Sequence, residues 1–566
     1  MRVRAFYPAV HGIALAVVAG AVLHAQSQSQ QQPSRIPGTF RSAVTLVPLD
    51  VRVLDQRGRP ITDLKQEDFV VFEENVPQRI GHFSHQMLTA ASPAPDGALK
   101  MRQVPGETLQ PQNHRVFLLV LGRGRLQYPA KGVDAAIDFV REQLLPQDQV
   151  AVLAYNRATD FTSNRGEVIQ VLERFRERHE KIEADLKHRV SGLAAVYGSR
   201  DIPVDMQARI DEIFDGPETP GFRRLPPGRI VDLELMAQDR REVNDAGGPF
   251  AAGFETWVAM NVQTLHDLGN VYGGIEYLRY FDGEKHLVFL TEDGLFVPRF
   301  ENDRNLADVA SDARVVIDII KTGGLYSEPP SRWLSNVAWA HTFSSMTLQN
   351  VGRLSGGQTS LYRYASDAFG RIDEATRSYY LIGYYPSNPE WDGGFRRVKV
   401  KVNRRDVTVL VRGGYFAREQ LVPFDRRQFM TYNRVVSAGG YGEEIGDIGL
   451  QLKSSVVTNP EGGRDVLIDL RIDPSRVSFA ESDGVGTASL DVAVYCGDRR
   501  QDTVCERWDK ADLKFDAAGL ERAKKEGVPY LTSVPLKDPK AELRYVKVVV
   551  YDYGADIVGS ASVRIK

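Results

Sequence analysis

Two short turns hold the residues best placed to do chemistry in this 566-residue chain. Gly122-Arg123-Gly124-Arg125 follows the apolar run Val116-Phe117-Leu118-Leu119-Val120-Leu121, and Thr291-Glu292-Asp293-Gly294 follows His286-Leu287-Val288-Phe289-Leu290. Guanidinium groups engage planar carboxylates through two parallel hydrogen bonds, so Arg123 and Arg125 suit recognition of an acidic partner. Asp293 is a candidate oxygen ligand or a third partner-binding residue. The alternatives are two solvated turn arginines and a turn aspartate paired with one of them. A Gly-x-Gly after a strand also begins a dinucleotide-binding loop, but Gln127 stands where close helix–strand packing needs a third glycine. Both preceding runs read as buried parallel strands, and open α/β sheets bind ligands at the carboxyl ends of such strands.

No other pattern points to catalysis. The chain has no Gly-x-Ser-x-Gly, no phosphate-binding Walker loop and no His-Glu-x-x-His, so no catalytic residue is assigned and no enzyme is expected. His82 and His85 read as a strand-end pair. Tyr379, Tyr380, Tyr384 and Tyr385 read as aromatics filling a sheet face rather than a stacking platform. Cys496 and Cys505, the two cysteines, read as a disulfide around the turn Gly497-Asp498-Arg499-Arg500, with two buried thiols as the alternative. No further thiol or nearby histidine completes a zinc site.

Composition is that of a globular chain, 42% hydrophobic and 26% charged, with a formal net charge of −3. That balance gives no basic field for nucleic acid. Residues 1–25 read as a signal peptide: Arg2 and Arg4 precede the apolar run Ile13 to Leu23, which is short for a membrane span. An uncleaved anchor is the alternative. With the signal removed no transmembrane span is expected, and the protein is placed in the periplasm, at the outer surface or in the medium. Residues 26–42 form a Gln/Ser-rich linker.

Strand and helix patterns divide the remainder. Residues 43–86 give β structure, with Val47, Leu49, Val51 and Val53 in alternation, and 366–418 return to it, with Arg397 to Val402 alternating cleanly. Each is too small to stand alone, so the two are expected to pack together. Residues 114–365 alternate strands with helices, which implies a doubly wound parallel sheet with helices on both faces, interrupted by an insertion at about 165–250. Residues 446–566 read as a C-terminal Ig-like β-sandwich. The fold class expected is therefore α/β plus all-β.

Several stretches together resemble one family. Val53, Asp55, Gly58, Pro60, Leu64, Asp68, Phe69, Val71 and Glu73 match its opening pattern V-x-D-x-x-G-x-P-x-x-x-L-x-x-x-D-F-x-V-x-E. Ser378 to Tyr384 and Arg412-Gly413-Gly414-Tyr415-Phe416 look like its YYLLGY and R-x-GY segments. The family is the von Willebrand factor A (VWA)-related domain family described from acidobacteria, whose members are mostly exported. The resemblance spans about 43–418 and implies a VWA domain set between two β segments. It also implies a binding function at a Mg²⁺ site built from Asp-x-Ser-x-Ser, a Thr and an Asp, completed by a partner's carboxylate. Here Gly122 to Arg125 fall where the first ligands stand, Thr256 matches the Thr position loosely, and Asp293 remains. One carboxylate cannot hold Mg²⁺, which demands near-octahedral oxygen ligands. The expectation is an exported VWA-like protein that binds protein or cell-envelope partners with no metal or other cofactor. The alternatives are a Mg²⁺- or Ca²⁺-dependent adhesion module with other ligands and, less favoured, an envelope enzyme.

Overall fold

A computed structural model describes residues 46–91, 112–189, 202–216, 267–292, 294–295, 300–322, 347–361, 364–418, 426–440 and 444–565, apart from 461, 483, 500–502 and 539–540. The signal and linker readings, Thr256 and Asp293 lie outside these residues.

Seven strands build the first sheet from two distant parts of the chain. β1 (Val47–Leu54), β2 (Phe69–Glu73) and β3 (Val76–Met87) join β10 (Ser378–Tyr385), β11 (Phe395–Val402), β12 (Thr408–Leu410) and β13 (Gly414–Phe416). The order is β12-β1-β10-β3-β2-β11-β13, with every pairing antiparallel. Alternating residues of β1, Val47, Leu49, Val51 and Val53, enter one core with Tyr380, Ile382, Tyr384, Val398 and Val400. The residues that carry the family resemblance meet here. The Glu73 carboxylate, 3% exposed, accepts hydrogen bonds from Tyr384 Oη at 2.6 Å and Tyr415 Oη at 2.8 Å, and lies 3.4 Å from Arg396 Nη1. Burial and the adjacent carboxylate raise the pKa of both phenols, so they remain donors. Tyr380 Oη donates to Ile61 O and accepts from Leu64 N–H, which fixes the loop before β2. Asp55 closes the β1 turn by accepting from Arg57 and Arg59 N–H, with Gly58 at φ +85° supplying the left-handed step.

Between the two halves of that sheet runs a mixed α/β layer. β4 (Arg115–Leu121), β5 (Gln149–Ala154), β6 (Arg157–Ala158), β7 (Glu284–Thr291), β8 (Val315–Lys321) and β9 (Thr359–Leu361) form a six-stranded sheet in the order β6-β5-β4-β7-β8-β9. Every neighbour pair is parallel except β5–β6. β4 is buried throughout because helices cover both faces. Phe117, Leu119 and Leu121 pack with α1 (Gly132–Asp138), α2 (Arg165–Arg189), α3 (Val204–Asp215) and α6 (Ala365–Thr376). Val116, Leu118 and Val120 pack with α4 (Asp267–Leu278), α5 (Phe300–Ala313) and the helical stretch 347–355. The charged segment 165–189, expected to open a solvated insertion, is part of this layer. Its stripe Val168, Val171, Leu172 and Phe175 is buried and continues through Ile182 and Leu186, while charges such as Glu167, Arg176, Glu177 and Lys181 are exposed.

Buried charge joins the antiparallel sheet to the amino ends of the parallel strands. Arg52 of β1 pairs with Glu284 of β7, each side chain 3% exposed. Arg314 pairs with Asp50 at 2.7 Å, and His286 Nδ1 lies 2.9 Å from Asp318. Burial opposes the charged form of His286, but its hydrogen bond to the Asp318 carboxylate and the nearby Glu284 prevail, and its pKa is raised. Arg115, fully buried, pairs with Asp148 at 2.5 Å and Asp373 at 2.9 Å, tying β4 to the helix that leads into β10.

The C-terminal part has two antiparallel sheets around one core. β14 (Leu450–Thr458), β15 (Arg464–Ile472) and β19 (Val528–Pro535) face β16 (Ala480–Ser482), β17 (Val485–Gly497), β18 (Thr503–Asp516), β20 (Tyr545–Asp552) and β21 (Ile557–Arg564). Cys496 and Cys505 are directly opposed on β17 and β18 and form the disulfide. Helix α7 (Arg426–Gly440), in a stretch where the sequence patterns place no element, buries Val435, Val436 and Ala438 and contacts β20 and β21. α8 (Ala517–Glu526) starts at Asp516, whose carboxylate accepts from Gly519 N–H. No helix among the described residues is long and apolar enough to cross a membrane.

Glu73→Ala leaves two buried hydroxyls and a guanidinium without their acceptor, and is expected to cost about 3–5 kcal/mol. The exposed neighbour Glu74→Ala should change stability by less than about 1 kcal/mol. Urea unfolding followed by near-ultraviolet circular dichroism tests this, and equal effects from the two would contradict it.

Candidate functional site

The carboxyl ends of β4 and β7 are laced together. Gly122 N–H donates to Leu290 O at 2.8 Å, and Glu292 N–H to Arg123 O at 3.1 Å. Past this point the β4 turn is held by three carboxylates. Asp267, at the first described residue of α4, accepts from Arg123 N–H at 2.9 Å. Glu183 of α2 lies 3.4 Å from Arg123 Nε. Glu292 accepts from Arg125 N–H at 2.5 Å and from Arg125 Nε at 3.1 Å. A Cβ on Gly122 would lie 2.8 Å from the Phe289 ring and 2.9 Å from Asp267 Oδ2, so the glycine is what lets that carboxylate reach the turn. Gly124 sits at φ +90°, where a side chain is strained.

A second set of contacts fixes the same turn from the helix side. His179 Nε2 donates to Gly124 O at 2.7 Å, leaving Nδ1 to accept from Tyr155 Oη at 2.7 Å. Burial, with Glu183 nearby, raises the Tyr155 pKa, which keeps that hydroxyl protonated. Thr322, after β8, donates to Arg125 O at 3.2 Å, and Thr291 Oγ1 accepts from Gly294 N–H at 2.9 Å.

The two arginines are not equivalent. Arg123 is 8% exposed and turned inward toward Glu183, which corrects the expectation of two outward turn cations. The cause is α2, whose packing on the sheet brings Glu183 and His179 over the turn. Arg125 keeps a side chain 55% exposed while Glu292 anchors it. Its partner is the residue before Asp293, and Asp293 itself lies outside the described residues. Two tyrosines stand exposed at the same end of the sheet: Tyr128, 71% exposed, in the turn after β4, and Tyr364, 74% exposed, at the start of α6 after β9. The helices that these tyrosines precede, α1 and α6, contact each other, and both follow parallel strands of the sheet.

The described residues do not fit a divalent metal. Asp267, Glu183 and Glu292 are each occupied by the Arg123–Arg125 turn, and Asp267 fills the space that a ligand side chain at Gly122 would need. Among the described residues no three His, Cys, Asp or Glu side chains are grouped as ligands. Tyr155, His179, Glu183, Asp267 and Glu292 were not singled out as site residues from sequence. A signal for two of them exists: His179 and Glu183 extend, at helical spacing, the apolar stripe that ends at Phe175.

His82 and His85 lie on β3, where they contact Ser84 and Ser378 hydroxyls at 3.0 and 2.8 Å. Tyr379, Tyr380 and Tyr384 are buried in β10, and Tyr385 is partly buried. No protein-family model matches the chain, and no curated protein matches it.

Glu183→Ala strands a buried guanidinium and should cost about 3 kcal/mol or more, whereas Arg125→Ala, which breaks a half-exposed pair, should cost about 1 kcal/mol or less. Adding Arg123→Met to Glu183→Ala should recover most of the loss. Thermal unfolding of the four proteins checks the ranking, and no recovery in the double variant would contradict the pairing.

Proposed function

We propose that this is an exported, non-enzymatic protein with a VWA-like α/β domain, which binds a protein partner at the carboxyl end of its parallel sheet without a metal ion. The observation that carries the reading is the half-exposed Arg125, anchored by Glu292, at the same end of the parallel sheet as the exposed Tyr128 and Tyr364. Arginine and tyrosine are the residues that dominate binding energy at protein interfaces: both offer large area, and tyrosine is ordered at low entropic cost. An anchored guanidinium also offers an acidic side chain a planar cation in a fixed orientation.

Three further features support the reading. Residues matching the family pattern converge on one buried carboxylate, Glu73. A parallel sheet carries helices on both faces between the two halves of an antiparallel module. The disulfide suits an oxidising compartment outside the cytoplasm. In the metal-dependent members of the VWA class the cation bridges the protein to a partner carboxylate. Here Arg125 supplies the positive charge, so the partner chemistry, an acidic residue in an apolar setting, is kept.

The test is a pull-down from native cell envelope with the mature chain as bait, with EDTA present throughout. An Arg125→Ala/Tyr128→Ala/Tyr364→Ala variant should lose a partner that the wild type retains, while staying folded with only a small loss of thermal stability. A partner retained equally by both, or recovered only when Mg²⁺ or Ca²⁺ replaces EDTA, would overturn the reading.

A further inference from the structure

One face of the antiparallel sheet is half covered. Asp50 and Arg52 on β1 and Leu381 on β10 point toward the α/β layer, where Asp50 and Arg52 meet Arg314 and Glu284. The same face continues through Arg79, Phe72 and Val70 to Arg397, Lys399 and Lys401 on β11, and there the cations are exposed. Lys399 stands opposite Phe72 and Lys401 opposite Val70.

Arg79, Arg397, Lys399 and Lys401 have no ion pair among the described residues, although exposed arginines elsewhere, such as Arg59, Arg141 and Arg178, pair with carboxylates. The nearest acid in the pairing, Glu74, uses its carboxylate on Arg397 N–H at 2.6 Å. Rings support the cations from below. Lys401 lies 5.2 Å from the Phe72 centroid and Arg79 5.6 Å from that of Tyr385, and at the β13 end Arg418 lies 4.5 Å from that of Phe416. Such stacking holds the charged heads over the sheet. It also occupies the ring faces, so these aromatics do not offer an open platform for bases or sugars.

We propose that this strip binds an extended acidic segment of a protein partner, at a surface separate from the carboxyl end of the parallel sheet. Charge and repeat are both complementary to such a segment. Alternate residues of a strand are about 7 Å apart, the spacing of Arg397, Lys399 and Lys401. An extended peptide with a carboxylate at every second residue has the same repeat and lays its acids on the three cations in register. Val70, 41% exposed, lies beside Lys401 on that face, and the intervening side chains of the peptide point away from the sheet.

The probe is a fluorescein-labelled peptide of alternating Asp and Thr, titrated by anisotropy against the mature full-length protein at low and near-physiological salt. Binding is expected, and it should weaken with salt. Arg397→Gln/Lys399→Gln/Lys401→Gln should weaken it about tenfold, since each exposed pair contributes a few-fold. All three side chains are solvent-facing, so the variant should keep the wild-type circular dichroism and melting temperature. The Arg125→Ala/Tyr128→Ala/Tyr364→Ala variant should bind the peptide normally, which separates this strip from the proposed partner face. No binding, or equal binding by the Gln variant, overturns the proposal. So does tighter binding, at matched charge, of a uronic-acid polysaccharide, single-stranded DNA or anionic phospholipid vesicles.

Discussion

The buried carboxylate of Glu73 is the constraint on which the rest of the structure depends. It sits at the end of β2, and its hydrogen-bond donors come from β10 and β13, more than 300 residues later in the chain. A carboxylate in that position has no water to fall back on, so it is tolerable only when those strands are in place. The antiparallel sheet is therefore complete only with strands from both sides of the α/β layer in place. The Arg52–Glu284 pair extends the same demand across the seam, because leaving either member alone would bury an uncompensated charge, and the partly exposed Arg314–Asp50 pair reinforces it. The outcome is one connected body from β1 to β13, in which the parallel sheet is held at its amino ends and its carboxyl ends are left to present side chains.

At those carboxyl ends the described acids are matched by guanidinium groups and backbone amides. Three acids converge on the β4 turn, which on charge alone would invite a cation. The turn answers with guanidinium groups and backbone N–H donors. Arg123 neutralises Glu183 inside, Arg125 neutralises Glu292 at the rim, and the Arg123 amide serves Asp267. The buried half of this arrangement is structural. The exposed half is Arg125, with Tyr128 and Tyr364 also exposed at that end of the sheet.

Much of the architecture is legible in the sequence because its signals are local. Val116 to Leu121 is continuously apolar because β4 is covered on both faces, and Arg397 to Val402 alternates because β11 is covered on one. β18 escapes notice because its residues pair only with β17, and charges such as Glu506, Asp509 and Lys514 interrupt its alternation. Helix α7 is hidden by its basic start and its terminal Gly439-Gly440. The site is legible in its turns and not in their partners: Glu183 lies 60 residues from Arg123 and Asp267 lies 144. Separation of that kind leaves no periodicity to read. The inward turn of Arg123 follows from the docking of α2, a tertiary fact that no local pattern encodes.

The central claim is that arginine pairing, and not a divalent ion, completes the carboxyl end of the parallel sheet. Isothermal titration of the mature protein, freed of metal by EDTA and dialysis, with Mg²⁺, Mn²⁺ and Ca²⁺ tests it most directly. The account predicts no saturable heat with any of the three, and the same melting temperature with and without them. Saturable submillimolar binding of one ion, abolished by Asp293→Ala and preserved in Arg125→Ala, would contradict it.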